Sequence, residues 1–167
     1  MQIRSRSKER PPPELWAKYP KSDRIHPVLR TPAPFDDFDA SVTIRFIDGR
    51  YEQINAGFEL RFSDDGDYVI RISGQGTFSV GWHKETDWGD HVVKWTKHPI
   101  LKTEMGEANR LRVLMKGDRI RVYINGVLAT LLRDDRYSSG LVRVVVSPGN
   151  DSGIEAAFSA LQLRELI

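Results

Sequence analysis

Three consecutive stretches of the chain alternate apolar and polar residues with a period of two, and tight turns join them. They are Arg110-Leu111-Arg112-Val113-Leu114-Met115, Arg119-Ile120-Arg121-Val122-Tyr123-Ile124 and Val127-Leu128-Ala129-Thr130-Leu131-Leu132. Gly117-Asp118 makes the first joint and Asn125-Gly126 the second. Asn-Gly is a strong hairpin signal, because a type I′ turn needs positive φ at both central residues. Two-residue loops then predict the pairs Met115–Ile120, Val113–Val122 and Leu111–Ile124, followed by Ile124–Val127, Val122–Ala129 and Ile120–Leu131. A slip of one residue would turn the arginines into the core, so the register is well determined.

The same period recurs upstream. Val42, Ile44 and Phe46 alternate with polar residues, as do Ala56, Phe58, Leu60 and Phe62, then Tyr68, Ile70 and Ile72, then Phe78, Val80 and Trp82. Asp48-Gly49, Asp64-Asp65-Gly66 and Gly74-Gln75-Gly76 separate them as turns. Downstream, Val142, Val144 and Val146 point one way, and Ala156 and Phe158 open a last strand. Pro99 to Gly106 reads as an irregular loop. About ten short antiparallel strands with no helical period predict an all-β, two-sheet sandwich. At 167 residues and 40% hydrophobic the chain can bury a core of that kind.

Residues 1–34 differ from the rest. They hold seven of the nine prolines, and eight Lys/Arg against three Asp/Glu; the remainder holds seventeen against twenty. This predicts a proline-rich basic arm or linker over 1–34 and a sandwich domain over 35–167. Trp16, Tyr19, Ile25, Val28 and Leu29 are too apolar for a free linker, so part of 14–30 should lie against the body. There is no cysteine, which excludes disulfides, thiolate metal sites and a cysteine nucleophile. No apolar run reaches the ~20 residues of a membrane span. The basic start lacks the apolar stretch of a signal peptide, so the sequence as given favours a cytoplasmic location.

The order Gly57-Phe58-Glu59-Leu60-Arg61-Phe62, Asp67-Tyr68-Val69-Ile70-Arg71-Ile72-Ser73, Gly76-Thr77-Phe78, Trp95, Asn109-Arg110-Leu111 and Gly117-Asp118-Arg119-Ile120, with Asn125-Gly126, Gly140-Leu141-Val142 and Ala157-Phe158, resembles the concanavalin A-like lectin/glucanase superfamily. More narrowly it is similar to laminin-G-like jelly rolls and to bacterial domains grouped with 3-keto-disaccharide hydrolases. The likeness spans roughly residues 38–166. It implies a jelly roll of two antiparallel sheets, often a binding or accessory module.

Several constellations could carry chemistry. Glu85, Asp87 and Asp90 resemble the carboxylate stretch of laminarinase-type glucanases, in which acid/base and nucleophile share a strand face. Loop residues after a strand ending near Lys84 account for them far better, and no catalytic residue is assigned. Trp82, Trp88 and Trp95 lie near His83, His91 and His98. Trp82 and Trp95 read as core and Trp88 as exposed. A ligand site, sugar or peptide, would then use Trp88, His83 and His91, with Trp82 beside them. The histidine spacings match no compact metal motif, so no metal site is assigned. Asp36-Asp37-Asp39, Asp64-Asp65-Asp67 and Asp134-Asp135 could offer oxygens to calcium, although turn-forming aspartates account for them. The outward meander residues Arg110, Arg112, Arg119, Arg121 and Tyr123 form a basic face. Neutralising acidic neighbours would make it ordinary surface, and otherwise it suits an acidic protein, a sulfated glycan or, less well, a nucleic acid. The outward Leu114, Leu128 and Leu132 suggest that this face is covered. The sequence reading is therefore a non-enzymatic recognition module for a carbohydrate or a protein. A glycosidase-like hydrolase and a structural scaffold are its alternatives, and no cofactor is expected.

Overall fold

The computed structural model describes residues 13–85 and 87–167. Twelve strands run in chain order: β1 (Glu14–Tyr19), β2 (His26–Arg30), β3 (Phe38–Gly49), β4 (Asn55–Ser63), β5 (Gly66–Ser73), β6 (Thr77–Lys84), β7 (Asp87–Lys97), β8 (Ala108–Lys116), β9 (Arg119–Ile124), β10 (Val127–Arg133), β11 (Leu141–Ser147) and β12 (Ile154–Glu165). They form two six-stranded sheets, ordered β1-β12-β3-β8-β9-β10 and β2-β11-β4-β5-β6-β7, with every pairing antiparallel. No described residue is helical. This is the two-sheet sandwich that the period of two predicts, and the jelly roll that the resemblance implies.

The core lies between the sheets. Val42, Ile44, Leu111, Val113, Met115, Ile120, Val122 and Ile124 face it from the first sheet, and Phe58, Leu60, Tyr68, Ile70, Ile72, Val80, Val144 and Val146 from the second. Full burial of a side chain such as Val122 contributes on the order of 1.5–3 kcal/mol. The meander pairs Met115 with Ile120, Val113 with Val122 and Leu111 with Ile124 as expected. Asn125 and Gly126 both have positive φ, 50° and 82°, as a type I′ turn requires.

The third strand of the meander departs from the expected register. After Val127–Ile124 and Leu128–Tyr123, a bulge at Ala129 brings Thr130 opposite Val122 and Leu132 opposite Ile120. Leu132 therefore packs against the core and Leu131 is left exposed, the reverse of the sequence expectation. The shift is cheap because small or apolar residues occupy both alternatives.

The proline-rich segment, expected as an arm or linker, belongs to both sheets from Glu14 onward. β1 pairs with β12 at the edge of one sheet, and β2 pairs with β11 at the edge of the other. Pro27 is tolerated in β2 because an edge strand has a side that needs no N–H donor. Tyr19 stacks on His26 at 4.5 Å and its hydroxyl donates to Pro27 O, which fixes the crossing between the two strands. Residues 1–12, which hold the triple proline's first two members, lie outside the described residues.

One buried cation ties loops together at an end of the sandwich. Arg61 is 1% exposed and sits in the left-handed region at φ 51°, inside an irregularity of β4. Its guanidinium donates to Asp36 O, Gly117 O and Tyr137 O and reaches Asp37 Oδ1 at 3.3 Å. Removing it takes the donor from three loop carbonyls at once and empties a buried site. Arg61→Ala is expected to cost at least about 3 kcal/mol in urea unfolding; a loss below about 1 kcal/mol would show that the loops hold without it.

Candidate functional site

The outer face of the second sheet carries a cleft of about 950 Å³, lined by residues of β4, β5, β6, β7 and β11 and by Asp23, Arg24 and Ile25 from the β1–β2 connection. Strand alternation builds its floor. With Phe58 and Leu60 turned inward, Glu59 faces out; with Tyr68 and Ile70 inward, Asp67 and Arg71 face out. Register then sets the partners. Arg143 on β11 lies directly opposite Glu59, and His83 on β6 lies directly opposite Asp67.

These groups form a chain of contacts. Arg143 Nη2 is 3.1 Å from Glu59 Oε1, Glu59 Oε2 is 3.8 Å from His83 Nδ1, and His83 Nδ1 is 2.8 Å from Asp67 Oδ1. Glu59, Asp67 and Arg71 are 5%, 1% and 8% exposed, so their charges are largely out of water. Arg71 donates from Nη1 to Asn55 Oδ1 at 3.0 Å. Among residues that line the cleft, the buried atoms Asp67 Oδ2, Arg71 Nε, His91 Nε2 and Arg143 Nε have no partner among the described residues, and Glu59 Oε1 has only its ion-pair contact with Arg143.

Aromatic rings wall one side. Trp88 meets His83 edge to face at 4.7 Å and His91 at 4.9 Å. The Arg71 guanidinium lies 5.7 Å from the Trp88 ring and 5.2 Å from the Trp95 ring, within cation–π range of both. Trp88, His91 and Trp95 are spaced by three and four residues, yet all line the cleft. Three bulges in the β6–β7 pairing make this possible. Two glycines make room for indole rings, Gly81 for Trp88 in the cleft and Gly89 for Trp82. A Cβ on Gly81 would fall 2.7 Å from the Trp88 ring, and one on Gly89 would collide with the Trp82 ring.

Proximity splits the proton affinities. Burial pushes Asp67 up to about 7, an effect that His83 opposes and Glu59 reinforces. Burial acts the same way on Glu59, but the closeness of His83 and Asp67 and the charge of Arg143 outweigh it and bring Glu59 down to about 2. Burial works against the His83 cation, yet its two carboxylate neighbours raise it to about 9. Burial lowers Arg71 to about 10, which leaves it charged at neutral pH. Burial and the neighbouring Arg71 both lower His91. Two carboxyls with separated affinities beside an imidazolium can hold and pass a proton.

Glu59, Asp67 and His83 also present three ligand atoms within 4.8 Å of one another, a set that suits a divalent cation by donor type, although Arg143 stands beside it. Among the other acidic clusters, Asp37 accepts from Gly117 N and Arg61, Asp39 is held by Arg112, and Asp134 accepts from the Tyr68 hydroxyl and Arg136.

The sequence candidates divide. Trp88, His83 and His91 come together in the cleft. Trp82 does not join them; its ring packs against the core and under the Arg136 guanidinium at 4.4 Å. Trp95, expected in the core, is 37% exposed and lines the cleft. His98 packs on Phe78 away from it. Glu85 stands at the rim, whereas Asp87 and Asp90 do not line the cleft, and Asp90 Oδ1 accepts from the adjacent His91 N. Thr86 lies outside the described residues. On the basic face, Arg112 grips Asp39 at 2.9 and 2.8 Å and lies over Tyr123, and Arg110 donates to Ser41, Thr43 and the Ala160 carbonyl. Arg119 and Arg121 make no ion pair among the described residues, so internal contacts engage half of the four arginines. Glu59, Arg71 and Arg143 were not among the sequence candidates. The signal lay in charges of both signs sharing a face with Val69 and Val145, both fully buried.

Fold and cleft together define a concanavalin A-like jelly roll with a polar, tryptophan-walled cavity on one sheet. Residues 20–154 match the 3-keto-alpha-glucoside-1,2-lyase-like domain family, and the chain belongs to it. No curated protein matches it in sequence. Among solved structures it is similar to carbohydrate-binding module CBM66 from Bacillus subtilis, at 16% identity over 90% of this chain and 95% of that one, with a TM-score of 0.66. A putative glycosyl hydrolase from Parabacteroides distasonis superimposes at 16% identity over 92% and 87%, with a TM-score of 0.63. A functionally unknown protein from Saccharomyces cerevisiae does so at 15% identity over 92% and 89%, also at 0.63. At these identities the likeness is one of fold.

The sign of each shift sets the pH behaviour. His83 is raised above its ordinary 6.5, so its ion pairs contribute stability that is complete below about pH 6.5 and lost as the pH rises through about 9. Glu59 is lowered, so its contribution is present above about 4.5 and lost as the pH falls toward about 2. Asp67 is raised, so its burial costs stability increasingly as the pH rises from about 4 toward 7. An NMR titration of the His83 ring should show a midpoint well above 6.5, and Asp67→Asn should lower it by about one pH unit or more. A wild-type midpoint near 6.5 would mean that the carboxylates do not act on the ring.

Proposed function

We propose that the cleft binds a carbohydrate, taking one terminal ring onto the floor formed by Glu59, Asp67, His83, Arg71 and Arg143. The observation that carries this reading is a set of buried polar atoms on the floor of an open cavity that have no partner among the described residues: Asp67 Oδ2, Arg71 Nε, His91 Nε2 and Arg143 Nε, of both donor and acceptor type. Leaving such groups unpaired is costly. A sugar hydroxyl both donates and accepts, so adjacent hydroxyls of one ring can satisfy carboxylate oxygens and guanidinium N–H groups together. Trp88 and Trp95 offer flat apolar faces to the C–H face of the ring. The family's description and the module from Bacillus subtilis, named for carbohydrate binding, support the same ligand class.

A second reading is favoured by the split proton affinities. The family is named for a 1,2-lyase acting on 3-keto-alpha-glucosides. In such an elimination a base takes the proton from C2, which the C3 carbonyl acidifies. The C1–O bond then breaks, a C1–C2 double bond forms, and the departing oxygen takes up a proton. Asp67, with an affinity near neutrality, suits the base, and protonated His83 suits the acid.

Calorimetric titration with mono- and disaccharides tests the first reading. Trp88→Ala should weaken binding roughly tenfold, about 1.4 kcal/mol, whereas Trp82→Ala should lower stability and leave affinity within about twofold. Equal affinity in wild type and Trp88→Ala would remove the cleft from consideration. Release of free alcohol from a 3-keto-glucoside, lost in Asp67→Asn while binding persists, would establish the second reading over simple recognition.

A further inference from the structure

We propose that the ring taken by this cleft carries a carboxylate, as in a uronic acid, and that the acid group seats on the guanidinium of Arg71. This inference rests on the carbohydrate reading above and narrows it. Arg71 is nine-tenths buried and makes no ion pair within 4 Å among the described residues. The one side-chain hydrogen bond of its guanidinium runs from Nη1 to a neutral partner, Asn55 Oδ1. Its Nε–H is buried without any partner.

The nearby carboxylates are already engaged. Glu59 faces Arg143 and His83, and Asp67 faces His83. The floor thus holds three basic groups against two acidic ones, and the surplus cation is Arg71. The two indole faces at 5.7 and 5.2 Å offset only part of the cost of keeping it dry. A neutral hydroxyl or ketone would complete hydrogen bonds but add no charge to the attraction that Glu59 and Asp67 exert from beyond ion-pair distance. A carboxylate does both. With Nη1 turned to Asn55, Nε and Nη2 remain as the adjacent donors that form a side-on fork matching two carboxylate oxygens. Asp23, Asp64 and Glu85 at the rim oppose an anion, but they are exposed and their field is screened by solvent and salt.

The test compares methyl β-D-glucuronide and methyl α-D-galacturonide with their own methyl esters and with methyl glucosides, by titration calorimetry on the full chain. At least one free acid should bind roughly tenfold tighter than its ester, and the advantage should shrink as salt is raised. Arg71→Gln should abolish the preference, so that acid and ester bind alike. Equal binding of acid and ester by the wild type overturns the inference and needs no variant to be folded. So does a preference that survives in Arg71→Gln, or a 3-keto-glucoside that binds tighter than both uronides. In those cases the carbohydrate reading stands. If no glycoside of any kind binds, that reading falls and takes the inference with it.

Discussion

Burial on both faces of one sheet is the constraint from which the rest follows. In β5 all eight residues are buried, although only Tyr68, Ile70 and Ile72 belong to the core between the sheets. The other face of that strand is the floor of the cleft, crowded by neighbouring side chains, and it carries Asp67 and Arg71. Charges placed there cannot rely on water, so each must be met by a neighbour or by a ligand. Antiparallel register supplies neighbours for some of them, setting Arg143 against Glu59 and His83 against Asp67. It supplies only a neutral partner for the Arg71 guanidinium. The site is therefore an arrangement of cross-strand pairs with a remainder, and the remainder is the group the proposed ligand would meet.

The fold was legible because its signals are local and redundant. Asn125-Gly126 permits one hairpin geometry, and the alternation in Arg119–Ile124 allows one register without burying arginine. Legibility failed where local signals are degenerate. At Ala129 a shift by one residue exchanges Leu131 for Leu132, and no side-chain preference opposes it. In β7 three bulges break the period of two, so Trp95, which counts as inward on a regular strand, emerges beside Trp88. His83, His91 and Trp88 could be named from composition alone because aromatic and imidazole groups stand out. Glu59 and Arg71 could not, since a charged residue between apolar ones is also what an ordinary solvent-facing strand looks like. Whether that face meets water is decided by strands distant in sequence.

The two buried arginines of the second sheet show how the same residue type serves different ends. Arg61 is nearly saturated, with backbone carbonyls of Asp36, Gly117 and Tyr137 around it, and it locks three loops into one geometry. Arg71 is ten residues further on and almost as deeply buried, yet it is undersaturated and faces a cavity. A saturated cation belongs to the scaffold. An undersaturated one in an open cavity is primed for exchange with solvent-borne groups.

The β1–β2 connection has a bearing on how the cavity could evolve. Asp23, Arg24 and Ile25 form part of its wall, and Ser22 N bonds to Gly149 O across the end of the sandwich. The strands on either side of this short bridge are anchored in different sheets. Insertions or deletions there would remodel one flank of the binding chamber while leaving the hydrophobic interior untouched. Changes in this six-residue span, 20–25, would alter the cavity's flank while leaving the charged floor as it is.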